Sequence, residues 1–102
     1  MPNTRPRAYT PEEVRDMLLD QIRVLSKYWA DLPNKSPQER CDGVAFSILA
    51  TLDGSSMNLP AMDLKVACAP EDREYYRSQG QNWFKRGQIL SFALHEHFYK
   101  KN

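Results

Sequence analysis

Two short segments with the same pattern fix where helices begin in this chain. Residues 10–13 read TPEE and residues 36–39 read SPQE. In each, a hydroxyl side chain can accept a hydrogen bond from the backbone N–H of the glutamate three positions on. In return, the glutamate side chain can accept a hydrogen bond from the backbone N–H of the hydroxyl residue. Proline suits the first helical position, because the N–H that it lacks has no partner there. The sequence therefore predicts one helix starting at each segment.

The residues after the first start signal form an amphipathic helix. Because Pro33 disfavours helical geometry in the residue before it, we expect this helix to end near Asp31. Apolar side chains recur at spacings of three and four, which places them on one face: Val14, Met17, Leu18, Ile22, Leu25, Tyr28 and Trp29.

The residues after the second start signal allow two interpretations. A helical stripe is present at Cys41, Val44, Ala45, Ile48, Leu49 and Leu52. Gly43 opposes it, because glycine costs about 1 kcal/mol against alanine inside a helix. The apolar run Phe46–Leu52 also suits a buried strand. We favour a helix because the capping signal leads straight into it, with an end at residues 53–56 (DGSS).

The second half of the chain predicts a short β element and two more helices. Between Leu59 and Cys68 apolar and polar residues alternate, as in a strand with one buried face. This strand has three candidate partners: the same strand of a second subunit, residues 56–59, or the stretch 46–52. Helices are expected from about residue 70 to 79 and from about 88 to 100. We therefore predict an α+β fold: three to four helices with one or two strands, a flexible tail at 1–9 and a single domain at 10–102.

Composition excludes several classes of protein. Lysine and arginine number 14 against 13 acids, a net charge of +1, whereas a dedicated DNA-coating protein needs a large basic excess. No apolar run approaches the roughly 20 residues of a membrane span. Residues 1–10 are polar, which predicts no secretory signal. Cys41 and Cys68 stand outside any CxxC pair, so we expect free, buried thiols in a reducing cytoplasm, with one disulfide between them as the alternative.

The middle and end of the chain carry a recognisable pattern. Residues 39–54 read ERCDGVAFSILATLDG and residues 59–64 read LPAMDL; QGQNWF follows at 79–84 and LHEHFYK at 94–100. This pattern resembles a group of small proteins encoded in bacterial and phage genomes. The resemblance implies an intact fold over residues 36–100 and carries no activity, cofactor or catalytic residue. A phage or mobile-element origin would favour a protein that binds a host component.

The sequence offers no catalytic constellation. No phosphate-binding glycine loop and no GxSxG motif occurs. His95 and His97 are two residues apart on a predicted helix, so they point to nearly opposite faces and cannot readily share a metal. We predict no catalytic residues, no metal site and no cofactor. Convergence of Asp53, Asp63 and His95 in the fold is an alternative that the sequence leaves open.

The aromatic residues around the third helix are the best candidates for a binding site. They lie off any clean helical stripe, and tyrosine, tryptophan and arginine are enriched in interfaces. The predicted surface consists of Tyr75, Tyr76, Trp83, Phe84, Lys85 and Arg86.

We predict from this surface a non-enzymatic protein that binds another protein. It could form a homodimer, and one form of it is a phage-encoded inhibitor of a host defence or regulatory complex. The second hypothesis is a small-ligand or nucleotide pocket near Asp53, Trp83 and His95. The third is an RNA or single-stranded DNA site, which the low net charge disfavours. It would use Arg5, Arg7, Lys85 and Arg86.

Overall fold

The computed structural model describes residues 5–90 and 93–100. Within those ranges the elements are α1 (Pro11–Asp31), α2 (Pro37–Leu52), β1 (Leu64–Lys65), α3 (Asp72–Ser78), β2 (Ile89–Leu90) and α4 (Leu94–Phe98). The two strands form an antiparallel sheet, so the predicted α+β class is confirmed. The contacts divide the chain into two compact units, Met1–Ile48 and Leu49–Asn102. The single domain at residues 10–102 stays a prediction.

Both helix start signals form capping boxes. The backbone N–H of Glu13 donates to the Thr10 hydroxyl at 3.1 Å, and the N–H of Thr10 donates to the Glu13 carboxylate at 2.8 Å. The same reciprocal pair joins Ser36 and Glu39 at 3.1 and 2.9 Å. The two predicted helix starts are confirmed, because each orphan amide finds its partner within four residues of sequence.

The N-terminal segment is tied to the first helix. Residues 5–9 are exposed and lie outside any helix or strand, whereas residues 1–4 of the predicted tail lie outside the described ranges. Arg7 donates two hydrogen bonds to the Glu13 carboxylate, at 2.8 and 3.0 Å. That guanidinium, together with the Thr10 N–H, lowers the pKa of Glu13 to about 2. The end of the tail nearest α1 is therefore held by a charged pair.

In the first unit α1 and α2 pack around one tryptophan. The Trp29 indole N–H donates to the Ser47 hydroxyl at 2.9 Å, and the ring lies against Gly43. Arg40 donates to the Leu32 carbonyl at 2.8 Å, which ties α2 to the end of α1. The helix predicted for this stretch is confirmed, and the strand alternative at 46–52 is wrong. Position 43 holds a glycine despite its helical cost, because only a residue without a side chain leaves room for the Trp29 ring.

The apolar face of α1 is only partly covered. No residue of this helix is fully buried. Tyr28, placed on the apolar stripe from the sequence, is 57% exposed, and Val24 is 62% exposed. Among the residues that the structure describes, Leu59 at 5% exposure is the only large apolar residue that is buried.

In the second unit the strand prediction needs correction. β1 has two residues rather than the predicted ten, and it pairs with β2 in the register Leu64–Leu90 and Lys65–Ile89. The partner is none of the three that we considered. Leu64, expected on the buried face, is 38% exposed.

The last helix is shorter than predicted because residues 89–90, at the start of the predicted helix, belong to β2. Gly87 has a φ of +84°, and its N–H donates to the Val66 carbonyl at 2.8 Å. This left-handed turn directs the residues after it into pairing with β1, so residues 89–90 are a strand where a helix was expected. The predicted third helix is confirmed as α3, with Gly80 at a φ of +67° past its end. No described helix is both long and apolar enough to span a bilayer.

Candidate functional site

A cleft of about 450 Å³ lies in the second unit between the segment after β1, the start of α3 and the loop that precedes β2. We call it the basic–aromatic cleft. Its lining residues are Cys68, Ala69, Pro70, Arg73, Trp83, Phe84, Lys85 and Arg86.

Hydrogen bonds hold the walls of the cleft together. The Arg86 guanidinium donates to the Cys68 carbonyl at 2.5 Å, and the Cys68 thiol donates to the Phe84 carbonyl at 3.4 Å. Each bond runs from a side chain of one segment to a backbone carbonyl of the other, so the two segments are joined in both directions. The shape of the cleft is therefore held by bonds between two segments of the second unit and does not depend on the conformation of a single loop.

Aromatic surface is available at this cleft. Trp83 is 42% exposed and Phe84 is 72% exposed. The Arg73 guanidinium lies over the Trp83 ring at 5.3 Å from its centroid, within cation–π range. That contact covers part of the Trp83 ring and leaves Phe84 as the more accessible apolar group.

The charge at the cleft is entirely positive. Arg73, Lys85 and Arg86 line it, and no acid does. A neighbouring cavity of about 340 Å³ shares Arg86 and adds Lys65. Within residues 5–90 and 93–100, none of these four cations has a carboxylate within ion-pair distance. The combined surface should therefore attract anionic groups.

Four of the six surface residues predicted from the sequence line this cleft: Trp83, Phe84, Lys85 and Arg86. Tyr75 and Tyr76 stand outside the lining on α3. Their rings meet edge to face with centroids 5.4 Å apart, and Tyr75 is 62% exposed whereas Tyr76 is half-buried. Sequence reasoning missed Arg73, Cys68 and Lys65, because each reaches the site only through the fold.

The sequence alternative at Asp53, Asp63 and His95 forms in part. Asp53, 6% exposed, accepts hydrogen bonds from the His95 backbone N–H at 2.8 Å and from His95 Nδ1 at 2.5 Å. Asp63 is exposed and makes no such bond among the described residues. Trp83 lines the basic–aromatic cleft, which contains neither Asp53 nor His95. The pair therefore stands apart from the tryptophan that we had placed with it.

The Asp53–His95 pair has a structural explanation. Its backbone bond lies at the first turn of α4, so the carboxylate fastens this short helix to the residue after α2. Desolvation raises the pKa of the Asp53 carboxyl, but hydrogen bonds from His95 and from the Leu94 backbone outweigh it and lower that pKa below its ordinary value. Because a carboxylate only accepts, Nδ1 carries the ring proton that it shares with Asp53. In catalytic triads such a pair orients an imidazole toward a nucleophile. Here it caps a helix.

We expect Asp53→Asn to loosen the C-terminal segment. The folded-state pKa of Asp53 lies below its unfolded value, so its stabilisation is present above about pH 4 and is lost as the pH falls further. At pH 7 the variant should therefore have a lower Tm than the wild type and faster amide exchange at residues 94–98. The gap between the two proteins should narrow below about pH 4. Exposed Asp63→Asn is the matched control, and an equal loss in both variants would contradict the capping role.

The first unit offers a second, apolar surface. Side chains of α1 and α2 form a groove of about 460 Å³, lined by Ser26, Ala30, Arg40, Cys41, Val44, Ala45 and Ile48. Cys41 is exposed there and Cys68 is half-buried. Both thiols are free, as expected, but the burial predicted for Cys41 is wrong, because it points into this open groove.

No metal site forms in the described ranges, where no group of three or more potential ligands converges. His97 is exposed, whereas the ring of His95 is occupied by Asp53. No protein-family model, curated protein or solved structure matches this chain.

Proposed function

We propose that this is a binding protein that acts by contact with another protein through the basic–aromatic cleft. The observation that carries the proposal is the exposure of Trp83 and Phe84, at 42% and 72%, beside cations that form no ion pair within residues 5–90 and 93–100. Exposed aromatic rings in water carry an unfavourable hydration free energy that a partner surface relieves. Tryptophan and arginine are also the residues most enriched among those that dominate binding energy.

The cleft supports binding more directly than catalysis. Its polar groups are cations, whose proposed role is to attract and orient, and Cys68 is bonded to the Phe84 carbonyl. The Asp53–His95 pair is explained by capping without a ligand. The resemblance to phage and bacterial proteins supports a finer version, an inhibitor that covers a surface of a host defence or regulatory complex. Two free thiols support a reducing, cytoplasmic setting.

A capture experiment tests this proposal. Tagged wild-type protein is incubated with bacterial lysate beside the double variant Trp83→Ala/Phe84→Ala, and any partner is then purified for titration. We expect the double variant to weaken partner binding by roughly tenfold or more, because truncation of a central aromatic typically costs at least 1 kcal/mol.

Tyr9→Ala is the matched control, since Tyr9 is an exposed aromatic outside the cleft. Light scattering during size exclusion shows whether the wild type is itself a dimer, which is the homodimer version of the proposal. A partner that binds the double variant as tightly as the wild type would contradict the assignment of this surface.

A further inference from the structure

We propose that the partner presents an acidic, extended peptide segment to the basic–aromatic cleft. This inference rests on the proposed function and specifies the chemistry of the partner. Three cations line the cleft, and the neighbouring cavity that shares Arg86 adds Lys65, which lengthens the positive surface beyond the aromatic pair. A ligand that satisfies both cavities must be elongated and must carry at least two negative groups.

Three of these cations can pair with the negative groups of such a ligand: Lys65, Lys85 and Arg86. Lys65 and Lys85 make no ion pair within the structurally described ranges, and both are exposed. Arg86 is fixed by one nitrogen on the Cys68 carbonyl, which leaves its other N–H groups for a ligand. Arginine N–H groups in this fork geometry match a carboxylate with two parallel hydrogen bonds. The anchored guanidinium loses little side-chain entropy on binding.

The aromatic part of the site favours a peptide over a nucleic acid. Single-stranded nucleic acids bind by stacking bases on open ring faces along a strongly positive groove. The Arg73 guanidinium already covers one face of Trp83, and the chain as a whole has a net charge of only +1. Phe84, at 72% exposure, suits the apolar side chain of a peptide that lies between two acidic residues. An extended chain places alternate side chains on one face, which allows such an arrangement.

Fluorescence anisotropy with defined probes tests the inference. The first probe is a labelled octapeptide of alternating glutamate and tyrosine. A second replaces glutamate with glutamine, and a third is an oligothymidylate of about twelve nucleotides. We expect the acidic peptide to bind at least about tenfold more tightly than either of the others at low salt. We expect its affinity to fall as NaCl rises from about 50 to about 500 mM.

Charge variants locate the binding. Lys65→Gln/Lys85→Gln removes two exposed cations that make no ion pair within residues 5–90 and 93–100, so the fold should be preserved. This variant should weaken the acidic peptide by roughly fivefold or more, as expected for two exposed charge pairs. Lys35→Gln/Lys100→Gln has the same net charge and changes residues that do not line the cleft. It should bind the peptide as the wild type does.

Three outcomes would overturn the inference: equal binding of the glutamine peptide, tighter binding of the oligonucleotide, or equal weakening in both charge variants. No binding of the acidic peptide up to about 1 mM would also overturn it. These results are distinguishable from failure of the proposed function. A lysate partner that depends on Trp83 and Phe84 but is indifferent to Lys65 and Lys85 would preserve protein binding and reject the acidic segment.

Discussion

Gly43→Ala should destabilise the protein, the reverse of what this substitution does in most helices. Alanine inside a helix is favoured over glycine by about 1 kcal/mol. Here a β-carbon on Gly43 would lie 2.5 Å from Cε2 of Trp29 and closer still to two other atoms of the ring. The indole is also held by its bond to Ser47, so it cannot move away freely. Overpacking of this kind costs about 1–3 kcal/mol in the free energy of unfolding.

Urea unfolding followed by circular dichroism measures this effect, and a second background isolates its cause. In Trp29→Leu the ring is absent, so Gly43→Ala should there be neutral or stabilising by up to about 1 kcal/mol. The change of sign between the two backgrounds is the diagnostic result. Stabilisation by Gly43→Ala in the wild-type background would show that the ring does not pack on this glycine.

Leu59→Ala should have the largest effect on stability of any single apolar truncation. Leu59 is 5% exposed, whereas every other large apolar side chain in the described ranges retains more contact with water. Removing a buried leucine side chain loses its transfer free energy and leaves a cavity, at a cost of about 2–5 kcal/mol. For a chain of this size we expect a fall in Tm of roughly 10 °C or more, measured by differential scanning calorimetry.

Met57→Ala provides the matched control for Leu59. It lies two residues earlier in the same connection and is fully exposed. Its truncation should change the free energy of unfolding by no more than about 0.5 kcal/mol. If both variants lost the same stability, the loop as a whole and not the buried leucine would be responsible.

The helices were predictable because their signals are local. Each capping box joins residues three positions apart, and Pro33 ends α1 by its effect on the residue before it. The sheet was not predictable in the same way. Leu64 pairs with Leu90 across a connection that contains α3, and neither two-residue strand carries enough alternation to reveal its partner. The residues from about 88 onward suited a helix by their apolar side, and the turn at Gly87 placed residues 89–90 in a strand instead.

In the candidate site too, only the residues that are close together in sequence were predictable. Trp83, Phe84, Lys85 and Arg86 are consecutive in sequence, so their common surface was visible as a cluster. Arg73 contributes from another element, and its position over Trp83 follows from where α3 begins. The sequence suggested that Asp53 and His95 could meet. Only the fold shows that their contact caps α4 and that Trp83 belongs elsewhere.

The distances along the chain spanned by the two key side-chain contacts have a consequence for folding kinetics. Trp29 and Ser47 are 18 residues apart, whereas Asp53 and His95 are 42 apart. The entropy lost on closing a loop rises with its length. The contact between α1 and α2 therefore costs less loop-closure entropy than the contact between Asp53 and His95. We expect α1 and α2 to associate early and α4 to dock last. The C-terminal helix would then be the first element to open under native conditions, and amide exchange would be fastest where the chain closes latest.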